Sequence, residues 1–145
     1  MPNTKPVGVA YSDPELVSGT TITGAVISGG PVSGTTVTAA GDLYVASATV
    51  AATGSTQANA AQLAGGFTLV SAADGTKGVK LPEAAAGRVV ILKNGAAAIL
   101  KVWPSSGDAI NAITADSNYV LASNTSSILI AYDSTTWYSV PLLAS

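Results

Sequence analysis

The run Arg88-Val89-Val90-Ile91-Leu92-Lys93-Asn94-Gly95 decides how this chain is read. Four consecutive apolar residues, mostly β-branched, favour extended backbone and are too few for a buried helix. The Asn-Gly pair that follows is a turn signal. Working outward, the same style repeats at residues 67–71, 78–81, 99–103, 119–122, 127–132 and 136–140, and upstream at 43–50. Asp74-Gly75, Ser106-Gly107-Asp108, Asp116-Ser117-Asn118, Ser123-Asn124 and Asp133-Ser134 separate most of these runs. Their spacing is close to the roughly 8–12 residues of a sandwich or barrel. The expected fold is all-β, an antiparallel β-sandwich or jelly-roll-like barrel. Several runs are apolar on consecutive rather than alternate residues, which implies that both faces of the sheet are covered. One face would meet the core and the other a neighbouring subunit. The exception to the β pattern is Gln57-Ala58-Asn59-Ala60-Ala61-Gln62-Leu63, rich in helix formers and stopped by Gly65-Gly66, which predicts at most one short helix.

Residues 1–42 read differently. They carry Pro2, Pro6, Pro14 and Pro31, many Gly and Thr, and few large apolar side chains. Ser18-Gly19-Thr20-Thr21-Ile22-Thr23 returns as Ser33-Gly34-Thr35-Thr36-Val37-Thr38, but two copies do not make a solenoid. The expected organisation is an extended N-terminal arm over 1–42 and a β-body over 43–145. The arm's sparse apolar residues, Val7, Val9, Tyr11, Leu16, Ile22, Val26, Ile27 and Val37, are its candidate anchoring contacts.

Composition narrows the function. Only 10% of residues are charged, against roughly 25% in an average soluble domain, while 48% are hydrophobic. A lone monomer so poor in charge has little to keep its surface unassociated, so much of that surface is expected to be covered by other chains. No apolar run approaches the ~20 residues of a spanning helix. The opening Met1-Pro2-Asn3-Thr4-Lys5-Pro6 predicts no secretory leader, and Asn124-Thr125-Ser126 then reads as a chance glycosylation match. A net charge of −2 argues against nucleic acid as partner.

Catalytic vocabulary is thin. The sequence has no His and no Cys, which removes Ser-His-Asp and Cys-His nucleophiles and Cys/His zinc sites. Most of the eight acids lie beside Gly, Ser, Asn or Pro, where an Asp side chain caps its own turn. No pair of them flanks a recognisable hydrolase motif, and Gly75-Thr76-Lys77-Gly78 lacks the spacing of a phosphate loop. The expectation is a protein that is not an enzyme and takes no cofactor or metal. Lys77, Lys80, Arg88, Lys93 and Lys101 are five of the six bases, either a solvated rim or a contact for an acidic partner surface. Trp103, Trp137 and Tyr138 are core aromatics or, alternatively, a platform for glycan.

One resemblance rests on particular residues. Gly78-Val79-Lys80-Leu81-Pro82, Gly87-Arg88-Val89-Val90-Ile91-Leu92-Lys93-Asn94-Gly95 and Leu100-Lys101-Val102-Trp103-Pro104-Ser105-Ser106-Gly107-Asp108-Ala109-Ile110-Asn111 form a style closed by residues 128–132 and Trp137-Tyr138. This style resembles the C-terminal β-domain of small virion proteins of tailed phages, head decoration or cement proteins and short head fibres. The leader Lys5-Pro6-Val7-Gly8-Val9-Ala10-Tyr11 is similar to leaders of the same proteins. The resemblance covers about residues 50–140. It implies a homotrimer on the outer surface of the capsid, bound to the major capsid protein through its N-terminal part, with no catalytic residues, no nucleic acid and no membrane. The same style in tail-associated proteins leaves open a fibre or receptor-binding protein that takes glycan.

Overall fold

A computed structural model of the chain describes residues 44–142, with side chains as far as Val140. The anchoring residues proposed above, from Val7 to Val37, lie outside the described residues, as does the arm itself. Among the described residues ten strands, β1 Ser47–Ala51, β2 Ala61–Gln62, β3 Gly66–Ala72, β4 Gly78–Lys80, β5 Val89–Asn94, β6 Leu100–Trp103, β7 Ala109–Ile110, β8 Tyr119–Leu121, β9 Ser126–Ala131 and β10 Thr136–Leu142, form two sheets. The larger has the order β1-β3-β5-β9-β10-β7, the smaller β2-β4-β6-β8.

The all-β reading holds, and the antiparallel sandwich or jelly-roll does not. From β1 to β6 the chain alternates between the sheets, and each strand pairs in parallel with the next one in its own sheet. Ser47 stands beside Phe67, and Phe67 beside Ile91; in the smaller sheet Ala61 stands beside Val79, and Val79 beside Val102. The chain therefore winds as a short β-solenoid of three two-strand coils. Antiparallel β8 closes the smaller sheet against β6; in the larger, antiparallel β9 follows β5, antiparallel β10 follows β9, and parallel β7 forms the edge. Strands 8–12 residues apart fit a hairpin or a crossing to the opposite sheet equally well, so spacing did not separate the two. The coils also differ in length, and no sequence repeat marks them.

Residues 57–63 form no helix, within the expectation of at most one. Thr56 to Ala60 makes one turn, with the Ala60 amide on the Thr56 carbonyl at 3.0 Å, and Asn59 Oδ1 accepts from the Thr56 amide and hydroxyl. The chain then enters β2, where the Leu63 amide donates to the Lys80 carbonyl. Docking on the next coil outweighs the weak helix preference of a short Ala-rich stretch.

The core lies between the sheets. Val70, Val90, Leu92, Leu129 and Trp137 face it from the larger sheet, and Val79, Leu100, Val102 and Leu121 from the smaller. Each such aliphatic chain contributes roughly 1.5–3 kcal/mol on burial. Glycine matters at two close approaches. Gly66 opens β3 at φ +68°, where an added Cβ would lie 2.3 Å from the Ala46 carbonyl oxygen. Gly78 leaves room for the Trp103 indole, whose Nε1 would lie 2.9 Å from a Cβ there.

Candidate interaction surface

Strand alternation sorts the apolar runs into two faces. In β5, Val90 and Leu92 are buried while Val89 and Ile91 point the other way; in β9, Leu129 is buried while Ile128 and Ile130 turn outward. The register lines these outward residues up across the strands. Phe67, Ile91, Ile128 and Val140 form one row, and Val89, Ile130 and Tyr138 the next. Val89 is 44% exposed, Ile130 39%, Tyr138 50% and Val140 46%. The exterior of the larger sheet is thus an apolar surface, and Lys93 is the one charged residue on that sheet's six strands. At about 4.8 Å per strand and 3.3 Å per residue, the part from β1 to β10 covers on the order of 400 Å². A patch of that order is as large as the largest on typical monomers, which is often functional. The consecutive apolar residues announced two covered faces; only the register names the residues on the outer one.

The five bases do not form one patch. Lys80 and Lys101 lie on the exterior of the smaller sheet, beside Trp103 and Val120. Lys93 lies on the larger sheet and donates to the Asn124 carbonyl. Lys77 pairs with Asp74 at 3.1 Å, and Arg88 donates to the Glu83 carbonyl. The three aromatics are dispersed too. Trp137 is fully buried in the core, Trp103 lies on the smaller sheet, and Tyr138 stands on the exterior of the larger. The exposed aromatic partner of Tyr138 is Tyr132, their rings meeting edge to face with centroids 6.0 Å apart.

Four of the five described acids hold donors in the loops. Asp74 Oδ1 accepts from the Thr76 hydroxyl and amide and from the Lys77 amide. Asp116 Oδ1 accepts from Gln57 Nε2 and the Gly107 amide, and Asp133 Oδ1 from the Thr135 and Thr136 amides. Donation from Thr76, Gln57 and Thr135 respectively is the largest influence and holds each carboxyl below its ordinary range. Asp108, 3% exposed, accepts from the Ala84 amide at 2.9 Å and ties that loop to the core. No group of three or more acids able to hold a metal occurs among the described residues.

Fold and surface together define a capped two-sheet β-solenoid with one apolar exterior. No protein-family model, curated protein or solved structure matches this chain.

Proposed function

We propose that this chain is a structural, self-associating protein, without enzymatic activity, that decorates the outer surface of a tailed-phage capsid as a homotrimer and stabilises the head. The observation that carries self-association is the exterior of the larger sheet, where Val89, Ile91, Ile128, Ile130, Tyr138 and Val140 form neighbouring rows with no acid on any strand. Burying it contributes roughly 25 cal/mol per Å² of apolar surface. The resemblance of the residue 78–111 segments to head decoration and cement proteins supports the location on the virion.

In this reading residues 43–145 trimerise and residues 1–42 attach to the major capsid protein. An extended chain spans about 3.3 Å per residue, so such an arm is long enough to cross from one capsid subunit to the next. Strand addition to a subunit edge would then supply affinity through main-chain hydrogen bonds. Two measurements test the two halves. Light scattering of the whole chain should give a trimer mass at micromolar concentration; a stable monomer ends the proposal. Deleting residues 1–42 should leave that mass in multiples of three and abolish binding to particles that lack the protein. Normal decoration by the truncated chain removes the anchor assignment.

The Tyr132–Tyr138 pair favours a second reading, a fibre or tail-associated receptor-binding protein that takes glycan, since exposed rings offer a sugar face an apolar platform. Consistent hits on a glycan array, lost in Tyr132→Ala, would favour it over the capsid role.

A further inference from the structure

The exterior of the larger sheet has relief. On its β10 side large side chains stand proud: Tyr138 and Val140 are half exposed, and Tyr132, 71% exposed, leans edge-on against Tyr138. On its β1 side the outward residues are small. Ser47 and Thr49 stand opposite Phe67 and Leu69 and leave a hollow of about 220 Å³, lined by Ser47, Ala48, Thr49, Phe67 and Leu69. Val89, Ile91, Ile128 and Ile130 join ridge to hollow as a continuous apolar floor.

A three-fold assembly places two demands on its subunit. Its contact is heterologous, so each copy must present two different patches, one for each neighbour. The patches must also fit each other without opposing charge left unpaired. This single face supplies both patches, one convex and aromatic, one concave and lined by small or apolar residues; no charged residue lines either, and Lys93 stands beside Leu69 at the far edge of the hollow. We infer that copies of this chain meet ridge to hollow: Tyr138 and Val140 of one copy seat over the hollow between β1 and β3 of the next, and the third copy closes the ring. The inference rests on the trimer reading above and says which side chains make its contact.

The chain has no cysteine, so introduced thiols report contact without background. Thr49 and Tyr138 are both exposed, which keeps substitution there compatible with folding. The test is Thr49→Cys and Tyr138→Cys, singly and together, oxidised with glutathione disulfide and run under denaturing, non-reducing conditions. A disulfide needs Cα atoms within about 7 Å. Mixing the two single variants should give a linked dimer, and the double variant should give covalent trimers. Ser47→Cys with Val140→Cys should repeat the result. Tyr138→Cys chains joining each other, or a double variant that stops at doubly linked dimers, overturns the head-to-tail contact. A native trimer mass with no link between positions 49 and 138, nor between 47 and 140, overturns this inference and leaves the trimer standing. A monomer mass for the unsubstituted chain removes both.

Discussion

At the scale of single residues, Asn94 shows how a turn signal acquires a different task in the fold. Its side chain is fully buried at the end of β5. The two hydrogens of Nδ2 are shared among the carbonyls of Ala98, Leu121 and Ala122, at 2.9, 3.3 and 3.0 Å, and Oδ1 accepts from the Ala96 amide at 3.1 Å. One amide therefore satisfies the crossing loop to β6 and the end of β8 together. Asn94→Ala leaves those groups without partners, at about 1–3 kcal/mol for each that water fails to reach. The expected loss in chemical denaturation is about 3 kcal/mol, with Asn94→Asp worse at neutral pH because it also buries a charge. A change below about 1 kcal/mol in Asn94→Ala would show that this network is not what holds the loop. Trp137 fills the core in the opposite manner, since its Nε1 has no protein acceptor among the described residues. Its contribution is volume and apolar area.

At the scale of elements, β5, β9 and β10 each divide their residues between a core face and an outer face of nearly equal hydrophobicity. Antiparallel sheets with one solvated face commonly carry polar residues at such outer positions. Substituting one should separate folding from assembly. Ile130→Lys adds a charge to an exposed position without removing a core contact, so the melting temperature of the dissociated protein should change by no more than a few degrees. If the chain forms the proposed trimer, its mass should fall to that of a monomer. A trimer that persists in Ile130→Lys shows that the contact lies elsewhere. Buried Leu129, one residue away, supplies the contrast: Leu129→Ala should cost about 2–5 kcal/mol of stability.

At the scale of the molecule, charge is sparse and sorted. Among the described residues every charged residue on a strand is a lysine, and every acid lies between strands. Asp74, Asp116 and Asp133 have carboxyls held low by donated hydrogen bonds. A depressed native value means that the unfolded chain takes up protons first, near its ordinary value of about 4, as pH falls. Their contribution is present above that pH and is lost progressively below it. All three are exposed, so the contribution is small. With no histidine, no side chain has an ordinary titration between about pH 5 and 8. Thermal melting should therefore be flat from pH 5 to 8 and decline below pH 4. A marked change across pH 6–7 would contradict this account.

The amino-acid sequence by itself determined that the body is all-β and placed eight of its strands to within a few residues, because β-branched apolar runs and Asp, Asn and Gly turns act locally. It also showed that β5 and β9 carry apolar residues on both faces, because their apolar residues are consecutive. The two-residue strands β2 and β7 gave no such run. Which strand lies beside which, parallel or antiparallel, was decided only in the tertiary structure. A crossing to the opposite sheet and a hairpin require similar loop lengths, and coils of unequal length carry no period. The dispersal of the five bases and the burial of Trp137 followed from that choice. Each side chain's exposure depends on the sheet its strand joins and the face it shows there, and both are set by contacts between segments far apart in the chain.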